Sequence, residues 1–113
     1  MIESFSEKRA HHRVPLDTPL FVTVSVEEGV ELPVQLVDCS RGGLQLAFSP
    51  VNEELWEMLN RTVLVVGLPR PIDPEQEGRI GYIAWISSGR FGVRFDMPLM
   101  LTEGEIREVA SEL

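Results

Sequence analysis

Hydrophobic and polar residues alternate along most of the chain after Leu20, the pattern of strands with one buried face. The apolar positions of the first three predicted strands are Leu20, Val22, Val24 and Val26, then Leu32, Val34 and Leu36, then Leu44, Leu46 and Phe48. The pattern returns over residues 62–68, 79–87 and 90–96, and the last two segments flank a Ser88-Gly89 turn. The alternation therefore predicts about six short strands.

Two segments have helical spacing instead. Asn52 is a candidate N-cap for a short helix that ends at Leu59. Thr102 and Glu105 stand at the reciprocal positions of a capping box. An apolar stripe follows them at Ile106, Val109, Ala110 and Leu113. A helix over residues 102–113 is therefore predicted, and because it is short it must pack on the sheet to be stable.

These elements define an all-β fold with a terminal helix. Six antiparallel strands with one apolar face each suit closure into a six-stranded antiparallel β-barrel, because closure removes exposed strand edges. Residues 1–13 precede the barrel, and we expect them to form a flexible leader. Residues 14–113 then form the barrel domain, with the C-terminal helix at 102–113.

Composition limits the possible functions. The chain has 113 residues, 43% of them hydrophobic, and a formal net charge of -8. It has one cysteine, Cys39, which excludes a disulfide framework and a self-contained zinc site. We see no apolar signal segment or membrane-spanning run, so we expect a cytoplasmic protein without membrane insertion. The acidic total argues against binding of a nucleic acid polymer.

The basic residues near the N-terminus are unevenly placed. Five positions between residues 8 and 13 carry basic or titratable side chains and no acid, namely Lys8, Arg9, His11, His12 and Arg13. Arg9 and Arg13 form an Arg-x-x-x-Arg pattern, which is either a solvated leader or a pair of guanidiniums for phosphate or guanine. The same spacing at Arg90 and Arg94 falls on the outer face of a strand and is read as surface charge.

Residues 38–43, Asp-Cys-Ser-Arg-Gly-Gly, form a polar connection between the second and third strands. They contain the pattern Asp-x-Ser-x-x-Gly. One interpretation is a tight turn in which Asp38 and Ser40 bond to local backbone. The other is a polar cradle in which Gly43 lets a ligand approach the main chain. The sequence of this loop by itself leaves both open.

Neither a metal site nor an enzyme is expected. Adjacent His11 and His12 on an extended leader point to opposite sides, so they do not chelate one metal together. Cys39 has no Gly-x-Ser-x-Gly elbow or base-and-orienter set around it, so it is not read as a nucleophile.

The two motifs in this order, with the strands around them, resemble the PilZ domain family. The resemblance extends to Arg13-Val14-Pro15-Leu16 at the first strand and to residues 81–85 and 91–95 in the closing hairpin. It covers residues 8–113. Members of the family are bacterial receptors for the second messenger cyclic di-GMP, with a six-stranded antiparallel barrel and a C-terminal helix. The resemblance thus implies a cyclic di-GMP receptor that signals to a partner protein and has no enzymatic activity or cofactor.

The resemblance also implies the roles of the leader residues. Arg9 and Arg13 would wrap over the nucleotide, because a planar guanidinium matches the O6 and N7 acceptors of guanine and neutralises phosphate. Lys8 would add a phosphate contact. We expect the leader to order on the nucleotide only when it binds.

On the barrel, the resemblance assigns the ligand-binding residues Asp38, Ser40 and Gly43. Asp38 would face the N1–H and N2–H donors of guanine or steer an arginine. Ser40 would supply a small donor and acceptor, and Gly43 would keep the floor free of a Cβ. Trp85 would either stack on a base or pack within the barrel.

Two other functions remain to be tested against this one. The first is a protein-interaction adaptor of the same fold that does not use the nucleotide, since a fold does not fix a function. The second is an RNA- or DNA-binding small barrel, which has the right shape but lacks a basic aromatic platform.

Overall fold

The computed structural model describes residues 13–26, 30–48 and 59–112. Within these residues the chain forms six strands and one helix, and each pair of neighbouring strands is antiparallel. The elements are β1 (Val14–Val26), β2 (Val30–Cys39), β3 (Gly43–Ala47), β4 (Thr62–Val66), β5 (Arg79–Ser87), β6 (Arg90–Phe95) and α1 (Glu103–Ser111). The strands close into a barrel in the order β1-β2-β3-β6-β5-β4, which confirms the predicted fold.

The inward faces of the strands fill the barrel with aliphatic and aromatic side chains. On β6, Phe91, Val93 and Phe95 are buried while Arg94 between them is exposed, as the alternation predicts. Phe48, just after β3, packs its ring against Phe91 with the ring centres 5.7 Å apart. The apolar alternation in the sequence is therefore the alternation between core and outer wall.

Strand β1 begins at Val14, six residues before the start that the alternation at Leu20 indicates. Pro15 and Pro19 lie in this first part, and the pairing of β1 with β2 shifts between Pro15 and Leu20. Proline has no N–H to donate and is found at strand edges and bulges. The irregular pairing hides the start of the strand from any test for regular alternation.

Helix α1 has the predicted capping box. The Thr102 side chain accepts from the backbone N–H of Glu105, and the Glu105 side chain accepts from the backbone N–H of Thr102. The helix ends at Ser111, and Leu113 lies outside the described residues. Its buried residues Ile106, Val109 and Ala110 face the barrel, and the helix packs on β1. Burial of this stripe holds a helix that would be marginal alone.

Two predictions fall largely outside the described residues. Of the predicted helix at 52–59, only Leu59 is described, and it is exposed in a turn beside Asn60. Of the leader, only Arg13 is described. In the described parts of the chain, no helix has the length and apolar character needed to cross a bilayer.

Candidate functional site

Arg13 reaches from the start of β1 across the outer wall of the barrel. Its Nη1 donates a hydrogen bond to Oε1 of Gln45 on β3 at 2.9 Å. Its guanidinium carbon lies 6.0 Å from the ring centre of Trp85 on β5. A guanidinium within about 6 Å of an indole face is attracted by the ring's quadrupole. Arg13 is therefore held by one hydrogen bond and one aromatic face.

The residues beneath Arg13 form a row across four strands. Asp38 of β2 pairs with Gln45 of β3, Gln45 pairs with Gly92 of β6, and Gly92 pairs with Trp85 of β5. The row faces outward because the residues on either side of Gln45 and Gly92 point into the core. We call Asp38, Gln45, Gly92 and Trp85 the platform. Pro15 of β1 pairs with Asp38 and brings the start of β1 beside it.

At each end of the platform, a shift in strand pairing turns the terminal side chain, Asp38 or Trp85, outward. The β2–β3 register shifts between Leu36 and Asp38, and the β5–β6 register shifts between Ile83 and Trp85. Leu36 and Ile83 are buried in the core. In an unbroken strand, residues two apart share a face, so Asp38 and Trp85 would point inward too. One extra residue in each strand moves both onto the outer wall.

The same shift at β2 buries Cys39, which is 1% exposed. Burial, together with the charge of neighbouring Asp38, raises the pKa of the Cys39 thiol from 9.0 to about 12. The thiol donates to the backbone carbonyl of Ser40 at 3.6 Å. Because the nucleophile is the thiolate, we expect this thiol to react slowly at neutral pH.

Because Gly92 has no side chain, the Trp85 ring can lie against the backbone of β6. A Cβ on Gly92 would overlap Nε1 of Trp85 and lie 2.6 Å from its Cε2. The indole therefore lies across the backbone of β6, where other residues carry a side chain. Trp85 is half-buried in this position on the outer wall.

The loop between β2 and β3 is closed by its own serine. The Ser40 hydroxyl oxygen accepts from the backbone N–H groups of Gly42 and Gly43, each at 3.2 Å. The Ser40 N–H donates to the carbonyl of Gly43 at 2.9 Å. The Asp-x-Ser-x-x-Gly pattern thus contains the local turn that one of its two interpretations describes.

Gly43 has a packing requirement of its own. A Cβ at this position would overlap the carbonyl oxygen of Val93 and lie 3.2 Å from the Cα of Arg94. Both atoms belong to the backbone of β6, which pairs with β3 at this point. Only glycine fits between the two strands without moving one of them.

The same loop is tied to the end of β6 and to the segment between β6 and α1. The Phe95 N–H donates to the carbonyl of Gly42 at 2.8 Å, and the Leu99 N–H donates to the carbonyl of Arg41 at 2.7 Å. The Arg41 side chain donates from Nε to the Leu99 carbonyl at 3.3 Å. A movement of the loop is therefore coupled to the chain that leads into α1.

The structure brings Arg13, Asp38 and Trp85 to one region of the outer wall. Gly43 begins β3 beside this region, and Ser40 is buried in the loop that precedes it. Lys8 and Arg9 lie outside the described residues. Sequence reasoning missed Gln45 and Gly92. A polar residue between two buried leucines and a glycine in the middle of a strand were the available signals.

Charge around the platform is mostly positive apart from Asp38. Arg90 and Arg94 flank Gly92 on the outer face of β6, and both are exposed. In residues 13–26, 30–48 and 59–112, no three His, Cys, Asp or Glu side chains are grouped as a metal site requires. The platform and the arginines around it therefore combine an aromatic face, an amide, a carboxylate and guanidiniums, which are groups that recognise a purine and its phosphate.

The closed barrel with a polar platform on its wall and a C-terminal helix defines a class of small β-barrel domain. The PilZ domain family matches residues 7–110, and the chain belongs to that family. PilZ domains are receptor and adaptor domains for cyclic di-GMP signalling. No curated protein sequence matches the chain.

Solved structures share the fold at low sequence identity. The chain is similar to the PilZ domain of CeSA from a cellulose-synthesising bacterium, with a TM-score of 0.57, 18% identity, and coverage of 89% of this chain and 96% of that one. It is also similar to the PilZ domain of YcgR from Escherichia coli, solved with c-di-GMP, with a TM-score of 0.61 and 16% identity. That match covers 94% of this chain and 91% of the other. The Bacillus subtilis inhibitor of motility MotI/DgrA is similar with a TM-score of 0.56 and 15% identity, and the match covers 92% of this chain and 48% of that one.

Proposed function

We propose that this chain is a cyclic di-GMP receptor that binds the nucleotide over the platform and signals to a partner protein. The observation that carries the proposal is the position of Arg13, which lies over Trp85 and Gln45 on the same wall as Asp38. Membership of the PilZ family supports the choice of ligand. So does the likeness to a PilZ domain that was solved with c-di-GMP.

The arginines supply the strongest recognition. Each guanine of the ligand presents O6 and N7 as adjacent acceptors, and a guanidinium can donate to both at once. Arg13 fills this role from the start of β1, and Arg9 acts with it from the leader. Lys8 contributes a phosphate contact. The leader, residues 1–13, closes over a ligand that rests on the barrel wall, with Arg13 at its end already held on the platform.

The barrel residues provide the floor and the complementary acceptor. Asp38 accepts from the N1–H and N2–H groups of guanine or steers an arginine. Ser40 holds the loop that carries Asp38, because its hydroxyl oxygen accepts from the backbone N–H groups of Gly42 and Gly43. Gly43 keeps β3 close to β6 and leaves the wall open. Trp85 offers an aromatic face for a base or for the guanidinium that stacks on it.

Signal output follows the connection from the loop to α1. Gly42 is bonded to the last residue of β6 and Arg41 to the segment after it, where Met97 is 70% and Met100 is 93% exposed. Ligand binding therefore changes a surface beside these methionines that a partner protein reads. Hydrogen exchange is expected to slow at the backbone of Leu99 when the nucleotide binds, because its N–H is bonded to Arg41.

Calorimetric titration tests the binding proposal directly. The wild type, Arg9→Ala, Arg13→Ala and Asp38→Ala are titrated with cyclic di-GMP near physiological salt. Each substitution is expected to weaken affinity by about tenfold or more, since charge-assisted hydrogen bonds are lost. Affinity should also fall as salt rises, because phosphate contacts are screened.

Arg70→Ala is the matched control, since Arg70 is an exposed arginine in the loop before β5. Cyclic di-AMP is the matched ligand, because adenine presents a donor where guanine presents O6. No heat with the wild type, or equal affinity across all variants, would overturn the proposal. A partner captured equally with and without nucleotide would favour the nucleotide-independent adaptor instead.

A further inference from the structure

We infer that Gln45 is a positioning residue that sets the orientation of Arg13 over Trp85 and thereby the affinity for a guanine ligand. The inference rests on the proposed function for its ligand. Gln45 lies outside both sequence motifs, and its effect is exerted through Arg13.

The surroundings of Gln45 are unusual for an outward side chain. Its neighbours Leu44 and Leu46 point into the core and are 4% and 0% exposed, so Gln45 points out. Yet Gln45 itself is only 8% exposed. The Arg13 guanidinium bonds to it from above, and it lies in register between Asp38 and Gly92. It is a covered polar group on the outer wall.

The chemistry fixes which end of the amide faces Arg13. A guanidinium has only donors, so the atom that contacts Arg13 Nη1 must be the amide oxygen. That oxygen anchors one nitrogen of the Arg13 guanidinium. The central carbon of the guanidinium lies 6.0 Å from the centre of the Trp85 ring. A contact to Gln45 on β3 and a second to Trp85 on β5 restrict the rotation of a planar group more than either contact alone.

Preorganisation is the reason that this contact affects binding. Arginine has a long side chain whose rotamer freedom is lost when it grips a ligand. Gln45 holds Arg13 on the platform before the ligand arrives, so part of that loss has already occurred. Without the amide oxygen, Arg13 retains its charge but must be ordered by the nucleotide.

Affinity in a double-mutant cycle tests the inference. Gln45→Leu keeps a similar volume and is expected to weaken cyclic di-GMP binding by about tenfold, as expected for loss of one hydrogen bond to a charged group. In the Arg13→Ala background, the same change should have almost no effect. Equal losses in both backgrounds would mean that Gln45 acts independently of Arg13, and the inference would fail. Gln35→Leu, the same change at an outward position of β2, should bind like the wild type.

A measurement without ligand separates this inference from the proposed function. In a Trp56→Phe background Trp85 is the single tryptophan, and acrylamide quenching of its fluorescence reports how well Arg13 covers it. Gln45→Leu should raise quenching to the level of Arg13→Ala. Gln45→Glu keeps an acceptor oxygen and should quench like the parent. If Gln45 had only a structural role, Gln45→Glu would not restore the low quenching of the parent that Gln45→Leu loses.

The outcomes are distinct. If the wild type binds no cyclic di-GMP but the quenching pattern appears, the proposed function fails and the positioning of Arg13 by Gln45 stands. If the wild type binds and Gln45→Leu changes neither affinity nor quenching, the positioning inference fails alone. Thermal unfolding of Gln45→Leu and Gln45→Glu checks that both variants fold.

Discussion

Two walls of the same barrel differ in how regularly their strands pair. The wall built on β4 is regular: Thr23 to Val26 pair with Val66 to Val63 without a shift, and β4 pairs evenly with β5. We call it the regular wall. The platform wall has register shifts in β2 and β5, one at each end of the row that lies beneath Arg13.

The side chains of the two walls differ in a matching way. On and beside the regular wall, the large apolar residues Phe21, Val66 and Ile80 are 69%, 38% and 54% exposed. On the platform wall a polar residue, Gln45, is covered by an arginine. Bulges re-aim side chains and concentrate beside functional sites. The pairing irregularities therefore mark the wall on which binding is proposed.

The largest effect is expected where the platform wall has no room, at Gly43. Gly43→Ala places a Cβ on the carbonyl oxygen of Val93, so the backbone of β6 must move away from β3. Because a strand backbone cannot shift without disturbing its ladder, we expect a loss of about 3 kcal/mol in the free energy of unfolding, the upper end for overpacking. Chemical denaturation measures it.

Gly104→Ala is the matched control for that change. Gly104 lies in α1, and the nearest atom to its added Cβ is the Thr102 hydroxyl oxygen at 3.9 Å. Alanine in a helix loses less conformational entropy on folding than glycine, so this variant should gain about 0.5–1 kcal/mol. A Gly43→Ala variant as stable as the wild type would contradict the close approach of β3 and β6.

The next effect depends on pH and on Cys39, which the β2 shift turns inward beneath the platform. Its thiol has a pKa of about 12 in the folded protein and an ordinary value of 9.0 when unfolded. Below pH 9 both states hold the proton; above it only the unfolded state releases it, so stability falls as pH rises. Between pH 9 and 10.5 the loss is about 2 kcal/mol.

Cys39→Ala removes this titration while leaving the other groups in place. The wild type should lose stability with rising pH more steeply than the variant, measured by denaturation at a series of pH values. Parallel curves for the two proteins would show that the thiol titrates normally in the folded state. A thiol reagent should also label Cys39 slowly near neutral pH unless denaturant is present.

The two walls also separate what the sequence could predict from what it could not. Alternation identified the regular strands, and the reciprocal positions of Thr102 and Glu105 identified α1. Alternation could not locate the shifts before Asp38 and Trp85, because a bulge adds one residue without changing composition. The face on which a side chain lies depends on that one residue.

The site was predictable in the same uneven way. Spaced motifs pointed to Arg13 and Asp38, which the structure brings to adjoining positions on one wall. Gln45 and Gly92 carry no motif, and their importance depends on cross-strand neighbours distant in sequence. Pairing of β3 with β6 is a property of the closed barrel, so no local pattern reports it.

Gly92→Ala should have a smaller effect on stability and a larger one on the site. The three atoms nearest to the added Cβ all belong to the Trp85 ring, which can rotate away, so we expect a loss of about 1 kcal/mol in the free energy of unfolding. Trp85 then leaves the platform, and its emission should shift to longer wavelength in the Trp56→Phe background. Affinity for cyclic di-GMP should fall by about tenfold. Unchanged emission would contradict the stacked position of Trp85 on β6.

The smallest effect is expected on the regular wall, from Ile80→Thr. Ile80 is 54% exposed and lies opposite Leu64 in an unshifted pair, so replacing it with another β-branched residue keeps strand preference and removes little buried area. We expect a change within about 0.5 kcal/mol in the free energy of unfolding and wild-type affinity for cyclic di-GMP. Denaturation and calorimetry measure the two quantities on one sample. A loss of affinity here would mean that ligand recognition extends around the barrel, and register shifts would then no longer identify the binding wall.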